Sequence, residues 1–265
     1  MTTVGDILDY QRQVGTWVDW ERTVDGVIVG SADAEVRDAA VGWIPSYEAL
    51  RKAVELGCQL FVTHEPTFYS HRNELEHLGA WPGAEEKNRF IEEGGLTILR
   101  NHDTWDFMPE VGIPWAWAAF LEMDGEPLET GYGLHVYAVE EMTLDALARR
   151  VAQRTAAIGE PAVQMAGEPG LRVRKVGIGT GCGCDPVRYR RMGADAGIVC
   201  DDGTSYWSNI QWAVDNSFGI VRVNHGTSEE PGVAAMARHL AGRFPEVNFH
   251  HIPQGCRFSL VSSAG

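Results

Sequence analysis

Leu60-Phe61-Val62-Thr63-His64-Glu65-Pro66-Thr67 joins an apolar run directly to an imidazole and a carboxylate and then stops at a proline. Leu60, Phe61 and Val62 read as a short interior strand of an α/β sheet, and ligand sites in such sheets open beyond the carboxyl ends of the strands. Pro66 disfavours the helical region for Glu65. The expectation is extended backbone at His64 and Glu65, with the two side chains pointing to opposite sides, a placement suited to two ions rather than one.

Working outward, residues 35–43 read as a strand and 47–56 as a helix closed by Gly57. With the opening strand they form one β-α-β unit, which favours a parallel sheet. Upstream lie an amphipathic helix, Val4–Val14, and a short strand at 25–30. Downstream, 67–82 has no clear period and reads as a loop beside the site, with His71 and His77 solvated. A helix at Ala84–Glu93 then leads to a buried strand at 96–99, which runs into Arg100-Asn101-His102-Asp103-Thr104-Trp105-Asp106.

After a helix at 112–123 and a linker at 125–131, the alternation resumes with strands at 134–139, 163–165, 175–178, 196–200, 219–223 and 247–249. Helices are expected at 143–156, after Asp185-Pro186, at 207–216 and at 231–244. The pattern is that of an α/β protein with two related halves. The expected division is a first domain of residues 1–127 plus 231–265 and an inserted second domain of 128–230.

Twenty-two basic residues against 37 acidic ones give a net charge of −15. Such a field repels phosphate backbones and anionic lipid and favours cations, which argues against nucleic acid as a partner. No apolar run approaches the roughly 20 residues of a membrane helix, and the first residues lack the basic and apolar regions of a signal peptide. A cytoplasmic protein with no membrane partner is expected. Five cysteines, an odd number, argue for reduced thiols. The nine tryptophans are scattered without period and are assigned to core and subunit packing.

Three expected strand ends carry metal-competent pairs: His64 with Glu65, His102 with Asp106, and His225 with Glu229. Imidazole nitrogen and carboxylate oxygen are the donors that borderline and hard divalent ions share, and a carboxylate can bridge two ions about 3.5–4 Å apart. One His-Xaa-Xaa-Xaa-Glu alone is usually a surface pair. Three clusters, each at a strand end, point to a metal site. Two other stretches read as turns. Residues 177–184 match neither Gly-Xaa-Gly-Xaa-Xaa-Gly nor a P-loop, and Asp201-Asp202-Gly203-Thr204 follows a strand. Cys182 and Cys184 are too close for the usual structural zinc spacing. No Gly-Xaa-Ser-Xaa-Gly is present to support a serine hydrolase.

The succession of Thr-His-Xaa-Pro, His-Xaa-Xaa-Xaa-Asp and His-Xaa-Xaa-Xaa-Glu, each after a strand, resembles the Nif3-like dinuclear metal centre family, whose bacterial members are often named GTP cyclohydrolase I type 2-like. The resemblance runs from the strand at 25–30 through the helix after Glu229. It implies two interlinked α/β domains of Nif3-like type, a pair of metal ions in the cleft between them, and a homohexameric toroid. It also implies His64 as the first metal histidine, Asp106 as the bridging aspartate, and His225 and Glu229 as the late ligands.

Glu65 stands where the family has a second histidine. A carboxylate makes the site harder and more anionic, which favours Fe2+ or Mn2+ over Zn2+, with Mg2+ a further candidate. His102 is assigned to an outer position, steadying a ligand. The activity implied is a metal-dependent hydrolase acting on a small molecule such as a nucleotide or cyclic amidine through a metal-activated water. Glu65 is then a ligand or the general base. The alternative is a metal-handling or cofactor-assembly protein that carries or inserts iron without turnover.

Overall fold

The computed structural model describes residues 1–131 and 133–261. The chain forms a mixed α/β protein with two sheets. Packing divides it into unit 1, Met1–Trp117 with Glu229–Pro253, and unit 2, Ala118–Ser228 with the chain from Gln254. The sequence reading kept everything after 230 in the first domain. In the structure residues 254–261 pack with unit 2, where Cys256 Sγ accepts a hydrogen bond from the Asn224 amide at 3.1 Å.

In unit 1 five short strands form a sheet: β1 (Gly26–Val29), β2 (Asp38–Gly42), β3 (Leu60–Thr63), β4 (Thr97–Arg100) and β11 (Asn248–His251). The order is β1-β4-β3-β2-β11, antiparallel only where β1 meets β4. Parallel strands are covered on both faces, so alternate residues enter two different cores. Ala39, Val41, Leu60, Val62 and Leu99 pack with Ile7 of α1 (Val4–Val14) and with Val233, Met236 and Leu240 of α9 (His225–Arg243). Ala40, Phe61 and Ile98 pack with Leu50 and Ala53 of α2 (Tyr47–Glu55) and Ile91 of α3 (Ala84–Glu93). Leu60-Phe61-Val62 therefore has no polar position, and each of these side chains contributes about 1.5–3 kcal/mol on burial.

The parallel pairing of β2 and β3 across α2 is the unit expected from the opening stretch. β2 starts at Asp38 rather than at 35, because Glu35 makes only an isolated bridge with Thr3. Ser46 caps α2 by accepting from the Ala49 amide at 3.2 Å. The stretch expected as a loop at 67–82 contains a 3-10 turn, Glu74–Ala80. β4 leads into the single turn α4 (Asp103–Asp106), followed by α5 (Ile113–Phe120).

Unit 2 holds β5 (Glu129–Gly131), β6 (Leu134–Thr143), α6 (Leu144–Ala156), β7 (Gln164–Ala166), β8 (Arg172–Gly179), α7 (Pro186–Arg191), β9 (Ala196–Cys200), α8 (Gln211–Asp215) and β10 (Gly219–Val223). The order is β5-β6-β8-β9-β10-β7, with β8, β9 and β10 parallel and the outer pairs antiparallel. The two units thus share β-α-β connections but not strand order. Part of the expected linker at 125–131 is the edge strand β5, paired with β6 and too short and polar to show a period.

Gly177 and Gly179 of the 177–184 stretch have a packing explanation, which Gly197 of β9 shares. A Cβ at Gly177 would stand 2.4 Å from Tyr189 Cγ, one at Gly179 2.4 Å from its hydroxyl, and one at Gly197 2.6 Å from its ring. Tyr189 is fully buried against them. The start of α7 is closed by its own Asp185, which accepts from the amides of Val187 at 3.0 Å and Arg188 at 3.1 Å.

The last helix departs most from expectation. It was expected from 231, with His225 on an approach turn, yet α9 begins at His225 and contains Pro231. Asp201 supplies the reason, because its Oδ1 accepts the His225 amide at 2.6 Å, and the Ser228 hydroxyl donates to the His225 carbonyl at 2.7 Å. The capping carboxylate lies outside any local window around the proline.

Candidate metal centre

His64 and Glu65 follow β3, and a bend decides where they point. The Thr63 hydroxyl lies 3.2 Å from the Trp43 carbonyl and 2.8 Å from that of Glu65, while the Glu65 amide donates to Trp43 at 2.8 Å. The backbone therefore does not continue the pleat, and the two side chains do not diverge as the extended reading expected. Donor atoms of His64, Glu65 and Glu229 lie within 4.8 Å of one another.

His64 Nδ1 donates to the Asn101 carbonyl at 3.1 Å, which directs Nε2 the other way. Nε2 lies 3.4 Å from Asp106 Oδ1 and 3.5 Å from Glu229 Oε2, is fully buried, and makes no hydrogen bond. A buried nitrogen facing two carboxylates without bonding either is the arrangement a cation completes.

α4 delivers the next pair. Asp25 seats this turn by accepting the amides of His102 at 2.6 Å, Asp103 at 2.9 Å and Thr104 at 2.8 Å. The ring of His102 stacks on that of His64, with centroids 4.7 Å apart and planes at 10°. Its Nδ1 is held by Asp103 at 2.9 Å, and its Nε2 lies 3.9 Å from Glu65 Oε1. Donor atoms of His64, His102 and Asp106 form a second group. Glu229 is fixed from another direction, by the Trp43 indole N–H at 2.8 Å.

Behind Glu65 sits the fully buried Arg100. Its guanidinium donates to the carbonyls of His64 at 3.2 Å and His71 at 2.7 Å, to Glu74 at 3.4 Å, to Glu65 Oε2 at 3.3 Å and to His71 Nδ1 at 3.3 Å. His71, expected to be solvated, is exposed, and it also falls with Glu65 and His102 in a third donor group. Nothing in the sequence signals that proximity, because the loop has no period and Arg100, which bonds His71, is distant in the chain.

Electrostatics follow this crowding. Burial alone would lower the pKa of His64, but Glu229, Asp106 and Glu65 outweigh it and bring it up to about 9. His102 is also raised: burial opposes the shift, and Asp106 and Asp103 drive it. His71 is lowered by burial, then by the positive charge of Arg100.

Of the residues expected at the site, the structure brings together His64, Glu65, Asp106 and Glu229, and the His102 ring lies among the same donor atoms. His225 lies in unit 2 as the first residue of α9, with Nδ1 3.9 Å from Asp202 Oδ2. Buried imidazoles and carboxylates of this kind fit a divalent cation in donor type, charge and the unbonded Nε2.

Known proteins share this architecture. The chain is similar to a protein of Streptomyces coelicolor named "GTP cyclohydrolase 1 type 2 homolog", 28% identical over 188 residues. That match covers 66% of the chain and 64% of the relative's length. The solved structure of the Staphylococcus aureus hypothetical protein SA1388 superposes with a TM-score of 0.81 at 15% identity, covering 98% of this chain and 99% of the other. A Bacillus cereus protein related to NIF3 does so with a TM-score of 0.81 at 14% identity, covering 98% and 99%. These two likenesses are of fold. The model of the Duf34/NIF3 (NGG1p interacting factor 3) family matches residues 3–255, and the chain belongs to that family.

Proposed function

We propose that His64, Glu65, Asp106 and Glu229 hold a centre of two divalent ions and that the protein is a hydrolase acting on a small molecule such as a nucleotide or cyclic amidine. The observation that carries this reading is the buried, unbonded His64 Nε2 between Asp106 and Glu229. Support also comes from the name of the Streptomyces coelicolor relative. His225 joins the ligand set on the sequence motif alone, four residues before Glu229. Bound ions would lower the pKa of a water and polarise the substrate oxygen. The protein's own residues do the rest. Trp43 and Asn101 orient Glu229 and His64. Arg100 steadies Glu65 in its place as a ligand; were Glu65 not on the ions, it would be the group that takes the proton from the attacking water. The carboxylates, and Glu65 in place of a histidine, favour Fe2+ or Mn2+.

Elemental analysis of protein purified without chelator tests the centre. Two equivalents of iron or manganese per chain are expected, and Asp106→Asn should lose both. Turnover of nucleotides, cyclic amidines and phosphoesters by the loaded protein tests the hydrolase. A loaded protein inert towards all three would favour the second reading, a carrier that delivers its ion. The observation on that side is Asp106, whose side chain keeps 21% exposure and would give a bound ion a way to solvent. Measuring ion exchange beside turnover separates the two readings.

A further inference from the structure

Cys184 and Cys200 of unit 2 come together from different elements. Cys184 closes the 3-10 turn Gly181–Gly183, and Cys200 is the last residue of β9. Their Sγ atoms lie 3.8 Å apart, the Cys200 amide donates to Cys184 Sγ at 3.2 Å, and the Cys200 thiol donates to the Gly181 carbonyl at 3.3 Å. Both residues are buried, and all five cysteines of the chain are thiols. Cys58 packs in the core of unit 1 and Cys256 sits beside Asn224, each in other surroundings.

Distance and access make this more than a packing contact. Closing the gap to the roughly 2.05 Å of an S–S bond takes an approach of roughly 1.8 Å, which small side-chain rotations at two cysteines supply. The cover over Cys184 is thin. Cys182, in the middle of the turn, is exposed, and the residue packed on Cys184 Cβ is Gly203, where an added Cβ would stand 2.5 Å from it. A small oxidant reaches Cys184 once this three-residue turn lifts. The pKa of the Cys200 thiol is raised, first by its hydrogen bond with Cys184 and then by burial, which keeps that sulfur protonated. Cys184 is therefore the sulfur that reacts first, and Cys200 the one that follows.

We propose that Cys184 and Cys200 are a reversible redox pair that a small peroxide closes to a disulfide. The Cys184 sulfur attacks one peroxide oxygen, the O–O bond breaks, and the departing oxygen takes the thiol proton and leaves as water or an alcohol. The Cys200 sulfur then attacks the sulfur of the Cys184 sulfenic acid, the S–O bond breaks, and hydroxide leaves with the Cys200 proton as water. The pair gives up two electrons and the peroxide accepts them. Cys200 precedes Asp201, whose carboxylate accepts the His225 amide, so the bond ties the turn before α7 to the loop that starts α9. Closure of the pair does not depend on the hydrolase reading above.

Treatment of the reduced, folded full chain with an equivalent of hydrogen peroxide tests it. Trypsin should then release residues 176–188 joined to 192–222, at a mass two hydrogens below the sum of the two peptides, and dithiothreitol should separate them. The first of these peptides also holds Cys182, so the same measurement is made on Cys182→Ser. In that variant the join should persist, and thiols counted in urea should fall from four, one fewer than the five of the chain, to two. Cys184→Ser and Cys200→Ser should each yield the two peptides separately. Peptides that stay apart in the treated wild type, a thiol count that stays at four in Cys182→Ser, or a join that survives Cys184→Ser overturns the proposal. Should Cys184→Ser or Cys200→Ser fail to fold, the peptides and thiol count of Cys182→Ser decide alone.

Discussion

His64 and Arg100 show how single side chains at this site serve two neighbours at once. His64 uses Nδ1 to fix its ring on Asn101 and leaves Nε2 to the carboxylates. Arg100 neutralises Glu65 and Glu74, which are both buried. Arg100→Met leaves those carboxylates without a cation and should destabilise the protein by about 3–5 kcal/mol, measured by urea unfolding. Arg100→Lys should recover little, because an ammonium cannot reproduce five directed bonds. Lys87 gives a pH test. Burial pulls its pKa down to about 8, although Glu74 opposes the shift. Between pH 8 and the ordinary lysine range the unfolded chain binds the proton that the folded chain has released, so stability rises with pH there. Wild type should therefore gain on Lys87→Met as pH is raised from 8 to 10.5, and a constant difference would contradict the assignment.

At the scale of elements, the strand-end clusters were legible because apolar runs such as Leu60-Phe61-Val62 and 219–223 end abruptly in polar chemistry. The start of α9 was not, because its capping group comes from Asp201. Asp201→Ala should lower stability by about 0.5–2 kcal/mol, the usual cost of a lost cap, and thermal unfolding will show it. Gly177 and Gly179, at the end of β8, are explained by the Tyr189 ring. Gly177→Ala should cost about 1–3 kcal/mol through overpacking, and part of that should return when Tyr189→Leu is added. Full tolerance of the alanine would contradict the packing explanation.

For the whole molecule, the net charge of −15 and the buried donor groups both favour cations. A ligand that binds only the folded state stabilises it by mass action, about 2.7 kcal/mol at one hundred times Kd. Mn2+ or Fe2+ should raise the Tm with the logarithm of concentration, a chelator should reverse the rise, and Asp106→Asn should abolish it. Among the described residues no helix is long and apolar enough to cross a membrane. Trp105 and Trp117 lie in the interior, whereas Trp81 and Trp207 stay exposed, so the tryptophans do not all serve the core of the chain.

The sequence by itself determined the α/β class and the buried parallel strands, and it singled out His64, Glu65, Asp106 and Glu229, which the fold gathers into groups that could hold a metal ion. These are carried by local periodicity and by residue chemistry, which need no third dimension. Tertiary structure decided that His64 and Glu65 turn towards one point, that Arg100 and His71 enclose Glu65, and that Asp201 starts the last helix. Each of those outcomes depends on hydrogen bonds between segments remote in the chain, and no local pattern records where such segments meet.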